Sequence, residues 1–148
     1  GTYFLRVVAN DKSNNASGDN AYVISFKVIN KSTITEVYNY PNPFSTRTQF
    51  VFTLTGSQLP TYMKIQIMTI SGKIVKEIDM SELGTLRIGK NITEYAWDGR
   101  DEYGDLLANG IYLYRVITRI NDKDIELNSQ SSNSKAFKKD FGKMVIIR

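Results

Sequence analysis

The sequence predicts an all-β chain folded as an antiparallel sandwich. Three observations carry that expectation. Apolar residues alternate along short runs, as in QFVFTL, where Phe50, Phe52 and Leu54 share one face by a period of two. The runs are rich in Val, Ile, Phe and Tyr, which suit a pleated, half-buried surface. Gly, Asn, Asp and Pro punctuate them, and helical periodicity is nearly absent.

Residues Thr2 to Val8 (TYFLRVV) read as a first strand and Ala21 to Ile29 (AYVISFKVI) as a second. The polar turn NDKSNNASGDN, 10–20, joins them as a hairpin. Two strands alone are marginal in water, so the hairpin needs neighbours. Residues 1–30 are therefore expected to be the last hairpin of a preceding immunoglobulin-like domain, whose other strands lie before Gly1. A short linker, 31–37, follows, and a second domain is expected over 38–148.

That domain opens on YNYPNPF. Pro41 and Pro43 have no N–H for a sheet ladder and push Tyr40 and Asn42 towards extended backbone. They are expected to stop the linker from continuing as an edge strand. Phe44, with Tyr40, is expected to plug the end of the new core, so Tyr40, Pro41, Pro43 and Phe44 form the predicted domain junction. Strands are then expected at Gln49–Leu54, Tyr62–Ile70, Lys73–Met80, Ile92–Trp97, Ile111–Ile120 and Lys143–Arg148, about six from Val37 onward. One helical turn is expected at Ser81-Glu82-Leu83. The polar stretch 121–136 reads as a mobile loop.

Composition excludes much chemistry. The 148 residues are 41% hydrophobic and 23% charged, an ordinary globular balance. There is no cysteine, so disulfides, thiolate zinc sites and cysteine nucleophiles are ruled out. There is no histidine either, which removes the commonest metal ligand and the usual base of nucleophilic triads. The chain is accordingly expected not to be an enzyme and to need no cofactor. The net charge of +4 is scattered, with no basic run longer than Lys138-Lys139, so no nucleic-acid footprint stands out. No apolar stretch is long enough for a membrane-spanning helix. Gly1 begins inside an apolar run, as expected of a piece of a longer polypeptide.

Two groups of residues could carry binding chemistry. Asp98, Asp101, Glu102 and Asp105 cluster in DGRDEYGD. Calcium binds such oxygen clusters, but Arg100 stands where a ligand should be, so a hairpin connection is the stronger reading. Trp97, Tyr95, Tyr103, Tyr112 and Tyr114 could stack on sugars or bases, although such residues more often fill a sandwich core or a cross-strand ladder. Three N-x-S/T sequons, at Asn15, Asn30 and Asn91, read as chance in a chain rich in Asn, Ser and Thr.

The order PNPF, MTISGKIVKE, WDGRDEYGDLLANGIYLYR and GKMVIIR resembles the type A C-terminal sorting domain of cargo proteins of the Bacteroidetes type IX secretion system. It is similar to the tail of gingipain-like surface peptidases. The middle section also resembles the immunoglobulin-like domain of the flagellar hook-capping protein. The resemblance covers Val37 to Arg148, and the WDGRDEYGD hairpin and the 121–141 loop make this chain longer than the family's usual form. It implies an immunoglobulin-like sandwich that acts as an address label. The label would pass from the periplasm through the outer-membrane translocon, be bound by the β-barrel shuttle PorV, and be handed to the sortase PorU. The elements it assigns to partner binding fall on Gly110, Ile111 and Tyr112, and on Gly142, Lys143, Met144, Val145, Ile146, Ile147 and Arg148.

The residues themselves allow this. KMVIIR has few polar interruptions and suits strand addition or insertion into a barrel mouth; it could equally be an inner strand of the sandwich. The rival readings are a carbohydrate- or surface-binding module and a purely structural spacer.

Overall fold

The computed structural model describes residues 2–7, 22–27, 31–121, 123–127 and 141–148. The chain divides into two compact units, Gly1–Asn30 and Lys31–Arg148. The first holds β1 (Thr2–Val7) and β2 (Tyr22–Lys27), paired antiparallel with Leu5 opposite Ile24. Phe4, Leu5, Val23, Ile24 and Phe26 are all exposed on this hairpin. The predicted turn at 10–20 lies outside the described residues.

The second unit is an all-β sandwich of two sheets. One sheet runs in the order β10 (Glu126–Leu127), β3 (Thr33–Tyr40), β4 (Gln49–Thr55), β7 (Gly89–Ile92). The other runs β11 (Gly142–Ile146), β8 (Gly110–Ile120), β5 (Tyr62–Thr69), β6 (Ile74–Asp79), with the short β9 (Lys123–Asp124) also on β8. Neighbours are antiparallel except β10, which lies parallel to β3.

The alternation seen in the sequence produces the core. Phe50, Phe52 and Leu54 of β4 face Met63, Ile65 and Ile67 of β5, Tyr114 of β8, and Met144 and Ile146 of β11 in one buried cluster. Across it the rings of Phe50 and Tyr114 meet edge to face, 5.1 Å between centroids, a favourable aromatic geometry. The predicted helical turn is present as α1 (Met80–Leu83), which buries Leu83. Glu82 Oε2 accepts a hydrogen bond from Asp79 N and so caps its first turn.

Five expectations need correction. Most of the predicted linker is not a linker, because Thr33 to Val37 belong to β3. A bulge between Thr35 and Tyr38, with Glu36 at φ 53°, breaks the period of two. Ile34, Val37 and Asn39 therefore point inward together, an interval that conceals the strand in the sequence. Tyr40 does not plug the core: past the bulge it points outward and is 70% exposed, whereas Phe44 is 2% exposed. Predicted strand 92–97 is displaced to Gly89–Ile92, after which Trp97 makes only an isolated bridge with Thr48. The closing strand begins at Gly142 and ends at Ile146. Two short strands fall within 123–127, and positions 122 and 128–136 of the predicted loop lie outside the described residues.

Candidate recognition surface around the final strand

β11 and β8 bring together the residues that the sequence singled out. Gly110 lies opposite Ile146, Ile111 opposite Val145, and Tyr112 opposite Met144. Phe44 forms a parallel bridge to Ile146. Segments around 44, 111 and 145 therefore meet at one sheet edge.

The two faces of β11 differ sharply. Met144 and Ile146 are fully buried, while Lys143 and Ile147 are exposed and Val145 is half-buried. Tyr112 follows the inner face, its hydroxyl donating to Ala108 O at 2.9 Å. Ile111, opposite Val145, is exposed and continues the outer face. Gly142 is required by packing. A Cβ there would collide with the Tyr114 ring, which lies over the glycine. Burial also pushes the Tyr114 hydroxyl above the usual tyrosine range.

The backbone edge of β11 is not open, as strand addition would require. Asn42 Nδ2 donates to Lys143 O, and Asn42 Oδ1 accepts from Val145 N, each at 3.0 Å. Phe44 N donates to Val145 O and Phe44 O accepts from Ile147 N. The proline box thus occupies this edge. Beneath it the Phe44 ring packs on Trp97, with centroids 5.6 Å apart. Trp97 is fully buried and its indole N–H donates to Arg100 O, so it is no sugar platform. Tyr103, 90% exposed, stands apart on the loop.

Arg148 is held by the loop that joins Trp97 to β8. Its guanidinium donates to Leu107 O at 2.8 Å and Asp98 O at 2.9 Å, and Asn109 accepts from its N–H and donates to its carbonyl. Gly99, at φ +77°, has no Cβ because the guanidinium lies where one would be.

The carboxylates of this loop serve the loop itself. Asp98 pairs with Arg100 at 3.4 Å, and Asp101 Oδ1 accepts from Tyr103 N and Asp105 N. Glu102 N donates to Val75 O, and Glu102 Oε1 accepts from Glu77 N at 2.6 Å, which closes the β6 edge. Its other oxygen meets Lys76 at 3.3 Å. Among the described residues no group of three or more acidic, His or Cys side chains is placed to hold a metal ion. Asn91, the sequon asparagine within the described residues, is buried and donates to Arg87 O and Gly89 O.

Part of the outer face of the same sheet carries a charged and polar network beside Met68, Leu113 and Ile117. Lys64 bonds Glu77 at 2.9 Å and Asp79 at 3.3 Å, Gln66 donates to Glu77, and Arg115 donates to Gln66. The hydrogen bonds from Lys64 and Gln66 lower the Glu77 carboxyl below its ordinary range. The Glu77 hydrogen bond likewise raises Lys64 above its ordinary value.

The closure of both edges by Asn42 and Glu102, and the grip of Asn109 on Arg148, were not foreseen. The sequence signal for Asn42 was its position between two prolines, where a side-chain amide replaces missing backbone donors.

No helix among the described residues is long and apolar enough to cross a membrane. No known protein-family model matches the sequence, and no curated protein matches it. Among solved structures, the chain is similar to the crystal structure of dimeric latent PorU from Porphyromonas gingivalis. That match has a TM-score of 0.58 and 21% identity, and it covers 99% of this chain but 12% of that one. The chain thus spans about an eighth of PorU's length, and the likeness is one of fold.

Proposed function

We propose that residues 31–148 form a sorting domain that carries a cargo protein through the type IX secretion system to the cell surface. The partner would be the outer-membrane shuttle PorV, with PorU as a later recipient. One observation carries the reading: the PNPF, GIYLYR and GKMVIIR motifs, far apart in sequence, converge on the β11 edge. The fold-level likeness to part of PorU supports it. With its backbone edge occupied, β11 would be read through the outward side chains Lys143, Val145 and Ile147, with Ile111 beside them. No catalytic role is proposed for a domain without cysteine or histidine.

The test is fusion of residues 31–148 to a periplasmic reporter in a type IX-competent bacterium. The expected result is a reporter at the surface or in the medium, and in the periplasm of a translocon mutant. Retention in the periplasm of the competent strain defeats the proposal. The fusion starts at 31 because a later start would cut β3.

A further inference from the structure

The outer edge of β11 is the natural place for another strand, and the chain fills it with something that is not one. Asn42 presents a side-chain carbonyl and N–H where a neighbouring strand would present a peptide group. It accepts from Val145 N and donates to Lys143 O, in the manner of a ladder. Asn42 itself is exposed, so these bonds contribute little to the core. On either side stand Pro41 and Pro43, both exposed and both without an N–H to offer outward. The box therefore completes the edge of β11 without creating a new edge beyond it.

We infer that Asn42 is a specificity-determining residue that closes β11 against strand pairing, above all with β11 of a second copy of this chain. The segment needs such protection. KMVIIR is short, β-prone and bears charge only at its two ends, the composition that makes an open edge self-associate. Phe44 secures the distal half of the edge through its own backbone, and its ring is locked in the core. The proximal half, Lys143 O and Val145 N, depends on Asn42. This inference holds whether or not the domain is a sorting signal.

The experiment uses the full chain with Asn42→Ala. Amide exchange at Val145 is expected to speed up roughly tenfold or more, while Ile147, still bonded to Phe44, stays protected. Sedimentation at rising concentration should show self-association beyond that of the wild type. A labelled GKMVIIR peptide should bind the variant more tightly than the wild type. Unchanged exchange at Val145 overturns the inference. So does faster exchange with neither added self-association nor peptide binding. Fluorescence of Trp97, buried beside Phe44, reports whether the fold is kept. Should Asn42→Ala lose it, Asn42→Ser, too short to reach both groups, is measured by the same criteria.

Discussion

The two edges of the β11–β8–β5–β6 sheet are both shut by loops, but by different means. At β11 the closing segment sends the Phe44 ring into the core, where it is 2% exposed. At β6 the closing residue is Glu102, whose side chain is 48% exposed and anchored by hydrogen bonds and one lysine. The first closure forms with the fold, since opening it means pulling out an aromatic side chain. The second is a local contact at the surface, and such contacts open at little cost. Closing an edge is thus separable from stabilising a domain.

The most damaging way to break this contrast is Phe44→Ala. It should destabilise the unit by about 3–5 kcal/mol, the usual loss for a fully buried phenylalanine, in a denaturant titration. It should also expose the Ile147 amide to exchange. A loss as small as that of a surface contact would erase the difference between the edges. Gly142→Ala comes next. The added methyl must displace the Tyr114 ring, at about 1–3 kcal/mol for an overpacked core, read in the same titration. Arg148→Ala should cost about 1 kcal/mol and speed limited proteolysis within residues 98–109, because the loop loses the guanidinium bound to its carbonyls. Glu102→Ala should cost at most about 1 kcal/mol and raise exchange at Glu77, with Glu102→Gln nearly neutral since it keeps an acceptor.

The smallest effect is one of pH. Glu77 titrates below its ordinary value of 4.5 when folded, so the unfolded chain takes up the proton first as pH falls. Its contribution is full above the ordinary value and is lost on acidifying through the folded one. Glu77→Gln should flatten the fall in stability below about pH 4.5, measured by melting at stepped pH. An unchanged slope would assign the acid loss to other groups.

The sequence disclosed the parts of this fold that obey a local rule. Phe50, Phe52 and Leu54 of β4 and Met63, Ile65 and Ile67 of β5 follow the period of two and could be named from it, whereas Val51, Gln66 and Met68 are buried off that period. β3 could not be read that way, because the bulge at Glu36 moves Val37 to the inner face. The predicted junction lies inside the second unit, at the end of β3, and only part of its packing was legible. Phe44 is as apolar and buried as expected, but the outward turn of Tyr40 depends on that same bulge. The groups that shut the edges obey no local rule. Asn42 bonds backbone about a hundred positions away, and Glu102, on the loop that leads into β8, reaches β6 past the intervening β5. Such pairings are fixed by topology, and alternation carries no trace of them. Trp97 was open to two readings until its burial decided between them.

The 98–109 loop holds Arg148 through Asp98 and Leu107, and reaches the opposite margin through Glu102. It therefore touches the sheet at both of its margins. A pull on Arg148 is felt by this loop as well as by β11, through the carbonyls of Asp98 and Leu107 and the Asn109 amide. Displacing Arg148 thus disturbs a second segment of chain and not β11 alone.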